Sequence, residues 1–190
     1  MKEQNALSPI KKLVLSAMFL AIGLMLPFLT GQIQQIGNML LPMHIPVFLC
    51  GLICGWQWGF GVGFILPLMR SLLFTMPKLY PHAIAMAFEL AAYGLIVGYL
   101  FSHARWQCIK SLYRCIVAAM IGGRLVWGVA MVILLGIGTE GFTFQAFLAG
   151  AVLNAIPGII LQLILLPAIM LALDRTHLVP FRKHVPASQK

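Results

Sequence analysis

Two charged residues lie inside apolar segments that are long enough to cross a lipid bilayer. Glu89 belongs to the run 83–101 and Arg124 to the run 115–137. A charge at the middle of a bilayer costs at least about 2.5–3.5 kcal/mol, so such residues pair with one another or line a functional cavity. The sequence leaves two interpretations open: an ion pair that joins two helices, or a polar ligand site that uses one or both charges.

Three further side chains are predicted at a depth similar to that of the two charges. Tyr93 follows Glu89 by four residues, Trp127 follows Arg124 by three, and Asn154 lies in the last apolar run. A single Asn in a membrane helix most often makes an interhelical hydrogen bond. The convergence of polar and amphipathic groups on three consecutive helices nevertheless favours a substrate-binding site.

A second group of polar residues is predicted at the outer mouth of such a site. Its candidates are Asn38, His44, Arg70 and His82. The simpler interpretation is anchoring at the membrane interface. Arg70 fits that interpretation poorly, because it lies within the third apolar run. We therefore keep all four as candidate binding residues.

Motifs for ATP hydrolysis and for hydrolytic catalysis are absent from the sequence. There is no Gly-rich phosphate loop with its lysine, no His-Glu-x-x-His and no Gly-x-Ser-x-Gly. The five histidines are scattered, so we expect neither a metal site nor a bound cofactor. The four cysteines give no disulfide framework, and we interpret them as reduced, packed thiols.

Composition predicts an integral membrane protein. Of the 190 residues, 61% are apolar and 9% are charged, whereas soluble domains carry about 25% charged residues. A membrane-spanning helix needs about 20 mostly apolar residues. We predict one all-α domain over 1–190, a bundle of six transmembrane helices with short basic ends at about 1–12 and 174–190.

The distribution of the basic residues predicts the orientation of this bundle. With six spans, ten of the 13 Lys and Arg lie on one side, at the two ends and in the linker 103–114. Such a bias marks the cytoplasmic side, so both termini are predicted to be cytoplasmic. The net charge of +9 is therefore assigned to topology and to contacts with membrane lipid, and not to nucleic acid.

Two small-residue motifs predict close helix packing. They are Ala17-x-x-x-Ala21 in the first span and Gly59-x-x-x-Gly63 in the third. Small residues at this spacing let a neighbouring helix approach closely. The neighbour is either another helix of this chain or a partner protein in the membrane, and the sequence leaves both open.

The chain resembles the substrate-binding S components of the energy-coupling factor (ECF) vitamin transporters. The resemblance rests on its size, the six predicted spans, the alanine motif, the polar loop after the first span, and the stretch Leu-Pro-Met-His-Ile-Pro-Val at 41–47. It implies capture of a vitamin or related micronutrient at the plasma membrane of a prokaryote. It also implies as partners a transmembrane T subunit, on which Ala17 and Ala21 dock, and two cytoplasmic ATPases.

The identity of the ligand stays open. The His-Ile-Pro-Val stretch at 44–47 is similar to pantothenate-type S components, where Arg124 or Arg70 would receive a carboxylate. Glu89 and the aromatic residues would instead suit a B6 vitamer. A different class, a small integral-membrane enzyme acting on a lipid or prenyl group, would need a catalytic dyad or metal cluster, and the sequence offers neither.

Overall fold

The computed structural model describes residues 8–29, 42–104, 107–136 and 156–175. This part of the chain contains only helices, as predicted. They are α1 (Pro9–Leu29), α2 (His44–Cys54), α3 (Trp56–Phe74), α4 (Ile84–His103), α5 (Ile109–Leu135) and α6 (Ile156–Arg175), with a short π-type turn at Leu79–Ala83 before α4. Helix α5 begins within the predicted linker 103–114, because the apolar run marks the membrane segment and not the end of the helix.

Five of the six described helices are long and apolar enough to cross a membrane. The protein is therefore a multi-pass membrane protein. Helix α2 is the exception, because its 11 residues rise only about 16 Å, against a hydrocarbon core of about 30 Å. The full six-span arrangement and the cytoplasmic location of both termini remain predictions.

The sequence around α2 explains why this helix is short. Pro46 is its third residue, where the missing backbone N–H removes no hydrogen bond because the first four N–H groups of a helix have no internal acceptor. At the other end Gly55 adopts φ 99°, which is unfavourable for other residues, and it donates its N–H to the carbonyl of Gly51. The chain thus reverses sharply and α3 begins at Trp56.

Helices α2, α3 and α4 pack backbone against backbone. A Cβ atom added at Gly59 of α3 would lie 2.6 Å from the Cα of Gly51 and 2.8 Å from the carbonyl oxygen of Gly94. One added at Gly63 would collide with the carbonyl of Leu90. The Gly59-x-x-x-Gly63 motif is therefore an internal packing surface, and the partner-protein interpretation of this motif is wrong.

Helix α1 uses one narrow face to contact the rest of the bundle. Ser16, Phe19 and Gly23 are buried on that face, and the hydroxyl of Ser16 lies 3.5 Å from the thiol of Cys50. Ala17 and Ala21 are exposed on the other side. The alanine motif therefore does not pack against the described part of this chain.

The cysteines are free thiols, as predicted, but they are not all packed. Cys50, Cys54 and Cys115 are buried, whereas Cys108 is exposed just before α5.

Candidate ligand-binding site

Three side chains, one each from α2, α4 and α5, meet at the carboxylate of Glu89. Nη1 of Arg124 lies 2.8 Å from Oε1 of Glu89, and the hydroxyl of Tyr93 donates a hydrogen bond to the same oxygen at 2.8 Å. Nε2 of His44 lies 3.7 Å from it. His44, Glu89 and Tyr93 are almost fully buried, and Arg124 is 14% exposed. We call His44, Glu89, Tyr93 and Arg124 the Glu89 cluster.

The directions of the helices bring these residues to one level. Glu89 and Tyr93 are one turn apart on α4, so they share a face. Helix α2 runs parallel to α4, since His44 lies beside Glu89 while Gly51 lies beside Val97. Its first residue therefore reaches the level of Glu89.

Helix α5 approaches α4 closely because of a glycine next to Arg124. A Cβ added at Gly123 would collide with the ring of Tyr93. The lack of that Cβ lets the ring pack against the backbone of α5. The adjacent residue, Arg124, can then reach the carboxylate of Glu89.

Aromatic packing holds the Tyr93 hydroxyl in position. The ring centroid of Tyr93 lies 5.2 Å from that of His44 and 5.1 Å from that of Phe48, both at tilted angles. Aromatic pairs at such separations are favourable beyond the area they bury. The phenol is thus fixed with its O–H directed at Glu89.

The ion-pair interpretation of Glu89 and Arg124 is therefore confirmed by the geometry. Pairing offsets part of the penalty for burying each charge, and the Tyr93 hydroxyl supplies a further hydrogen bond to the carboxylate. Whether the pair also contacts a ligand is a separate question, because an ion pair and a ligand site are compatible.

The pairing leaves one donor of Arg124 unused. Nη1 of Arg124 contacts Oε1 of Glu89, and Nη2 takes no part in this hydrogen bonding. Nη2 is buried and has no hydrogen-bond partner among the described residues. Leaving a buried donor unsatisfied costs about 1–3 kcal/mol, and more for a charged group. This nitrogen is therefore available to an acceptor.

Comparison with known families identifies the class of protein. A family model described as the substrate-specific component of ECF transporters matches residues 11–170. The chain belongs to this family. Comparisons with curated proteins and with solved structures give no significant match. As an S component, the chain is a substrate-binding membrane subunit for uptake, in a family of transporter parts that work with T and ATPase modules.

Arg70 of this S component contacts residues outside the Glu89 cluster. It is buried on α3, its Nη1 donates a hydrogen bond to the carbonyl of Leu24 at 3.2 Å, and its guanidinium lies 5.7 Å from the ring of Phe74. Arg70 therefore links α3 to α1. Its predicted role in ligand binding has no support from these contacts.

The expectation that His44 lies at an outer mouth with Arg70 and His82 is corrected by the structure. His44 is 1% exposed and belongs to the Glu89 cluster, whereas His82 is exposed in the turn before α4. The reason is the packing of α2 parallel to α4, which sets its first residue beside Glu89. The prolines at 42 and 46 predict a short second span near 43–54, and α2 agrees with that prediction.

The remaining predicted residues of this S component are placed as follows. Trp127 lies one turn beyond Arg124 on α5 and packs against Ala85, Ala130 and Met131. Asn38 and Asn154 lie outside the described residues. Sequence reasoning did not select Phe48, which packs on Tyr93, because nothing distinguishes it from other apolar residues of α2.

Metal binding finds no support in the described ranges. No three His, Cys, Asp or Glu side chains there come together in a way that could hold a metal ion. The chemistry available to the Glu89 cluster is hydrogen bonding and charge pairing.

Proposed function

We propose that this S component captures a vitamin or related micronutrient and holds it at the Glu89 cluster. The observation that supports this proposal is the meeting of four polar side chains from three helices, three of them buried, with one guanidinium nitrogen of Arg124 left without a hydrogen-bond partner among the described residues. An ion pair that only joined helices would gain nothing from that unused donor. A binding site gains a point of attachment for the ligand.

Delivery to the cytoplasm is proposed to depend on a T subunit and two ATPase subunits. The sequence has no phosphate-binding loop of its own, so the energy must come from partners. The exposed alanine pair of α1 supports docking on a partner helix, because Ala17 and Ala21 present a thin surface to the membrane. We place the protein in the plasma membrane of a prokaryote, with six spans and both termini cytoplasmic.

Reconstitution into proteoliposomes tests this function. The purified chain alone should bind a small molecule from a vitamin-rich extract but should not accumulate it. Co-reconstitution with T and ATPase subunits and ATP should give accumulation. Accumulation by the isolated chain without ATP would contradict the proposal, and so would the absence of any bound molecule.

A further inference from the structure

We infer that the ligand of the Glu89 cluster carries a carboxylate, and that this carboxylate is received by Nη2 of Arg124. This inference rests on the proposed function, since it names the chemical class of the molecule captured at that site. It chooses between the two ligand types that the sequence left open, an acid and a cationic ring.

The hydrogen-bonding inventory of the cluster carries the first step. An ionised carboxylate only accepts hydrogen bonds and a guanidinium only donates them. Oε1 of Glu89 already serves Nη1 of Arg124 and the hydroxyl of Tyr93, and it faces the imidazole of His44. Nη2 of Arg124 is a buried donor that meets no hydrogen-bond acceptor among the described residues. The complementary ligand group is therefore an acceptor.

The charges of the cluster carry the second step. A cationic ligand would approach a carboxylate whose Oε1 lies 2.8 Å from a guanidinium, so it would compete with Arg124 and be repelled by it. An anionic acceptor at Nη2 leaves the contact between Glu89 and Arg124 in place and gains a charge-assisted hydrogen bond, although the Glu89 carboxylate repels it. A carboxylate is planar, which matches the planar fork of the guanidinium.

A bound carboxylate changes the balance of charge in the Glu89 cluster. With Glu89 ionised and Arg124 charged, a bound carboxylate leaves one net negative charge. In its protonated form the imidazole of His44, 3.7 Å from Oε1 of Glu89, would supply the compensating positive charge. The cluster thus has the groups needed to hold an anion.

Chemical blocking of carboxylates tests the inference directly. The detergent-solubilised full chain, freed of bound molecules, is offered yeast extract and the same extract after methyl esterification. Native mass spectrometry detects what binds. We expect a bound molecule from the untreated extract that is lost after esterification. A molecule that still binds after esterification would contradict the inference that the ligand carries a carboxylate, while leaving the binding function intact. No bound molecule from either extract would overturn both.

Two variants then test the role of Arg124 with the molecule retained by the wild type. Glu89→Gln removes the competing negative charge, so binding should tighten several-fold. The double variant Glu89→Gln/Arg124→Gln should bind at least about tenfold more weakly than Glu89→Gln, because a hydrogen bond to a charged group is lost. The matched control is Arg114→Gln, an exposed arginine in the second turn of α5, which should bind like the wild type.

Thermal unfolding of each variant separates binding from folding. The double variant should fold, because it leaves no buried charge without its partner. A folded double variant that keeps the affinity of Glu89→Gln would overturn the role of Arg124. Loss of binding in a folded Glu89→Gln would also overturn it, because that result identifies a cationic ligand held by the carboxylate.

Discussion

Glu89 and Arg124 stabilise each other within the membrane, and either charge without the other would destabilise the fold. The Glu89 carboxylate is 2% exposed and is held by the Arg124 guanidinium at 2.8 Å and by the Tyr93 hydroxyl at 2.8 Å. Removing one member of a buried pair leaves the other charge uncompensated. The stability of the chain should therefore respond to the pair as a unit.

Arg124→Met, which removes the guanidinium at similar side-chain length, should lower the free energy of unfolding by about 3–5 kcal/mol, the range found when one partner of a buried pair is lost. Adding Glu89→Gln should recover much of this loss. The measurement is thermal or denaturant unfolding in detergent of the wild type, Arg124→Met, Glu89→Gln and the double variant. Equal stability of Arg124→Met and the double variant would show that the Glu89 carboxylate is not left uncompensated when Arg124 is lost.

Gln162 of α6 offers a second test of an unused buried donor. Its side chain is 2% exposed, and its Nε2 has no hydrogen-bond partner among the described residues. Gln162→Met keeps the length of the side chain and removes the amide, so the free energy of unfolding should rise by about 1 kcal/mol. The control is Gln57→Met on α3, where the side chain is exposed. A loss of stability at 162 would show that the amide has a partner in the membrane.

At the scale of the helices, the two small-residue motifs have different roles despite their similar spacing. Gly59 and Gly63 let α3 lie directly on α2 and α4. Ala17 and Ala21 face away from the described bundle. The motif spacing predicts close approach in both cases, but only the orientation of each helix decides which neighbour approaches.

Ala17→Trp should reduce transport by the assembled importer at least about tenfold while leaving ligand binding unchanged. The indole thickens the exposed face of α1, where a partner helix would need close approach. Uptake in proteoliposomes and binding by the isolated chain are measured side by side. The matched control is Ala118→Trp, an exposed alanine on α5, which should transport normally. Equal uptake by the two variants would contradict docking through α1.

At the scale of the whole molecule, the helices alternate in direction around the cluster. Gly59 lies on Gly94 and Gly63 on Leu90, so α3 and α4 are antiparallel. Helix α4 then runs parallel to α2, and Tyr80 before α4 donates a hydrogen bond to the carbonyl of Leu134 near the end of α5. This order puts the segment between α4 and α5 at the opposite end of the bundle from Tyr80. The positive-inside bias predicts that this end is cytoplasmic.

Cys108 provides a direct test of the predicted orientation. It is an exposed thiol between α4 and α5, whereas the other three cysteines are buried. A membrane-impermeant maleimide should label inside-out vesicles and leave intact cells unlabelled. Cys108→Ser should abolish the labelling, which confirms that the signal comes from this residue. Labelling in intact cells would reverse the predicted topology.

The sequence by itself determined the class of the protein and singled out the two membrane charges that the structure pairs. Its apolar fraction of 61% requires burial in a membrane, and a helix is the simplest way to satisfy the backbone of each apolar run there. Glu89 and Arg124 could be selected from the sequence because a charge in hydrocarbon is costly whatever the fold. The alanine motif likewise predicted a contact surface from composition and spacing alone.

Only the tertiary structure decided which of these residues meet. Depth along separate helices depends on where each helix begins and how closely its neighbours pack. The packing of α2 parallel to α4 sets His44 beside Glu89, and Gly123 lets α5 bring Arg124 within reach of the same carboxylate. Arg70, equally prominent in the sequence, is instead engaged by the carbonyl of Leu24 on α1. Contacts between helices are set by packing of the whole bundle, which the pattern along one segment does not contain.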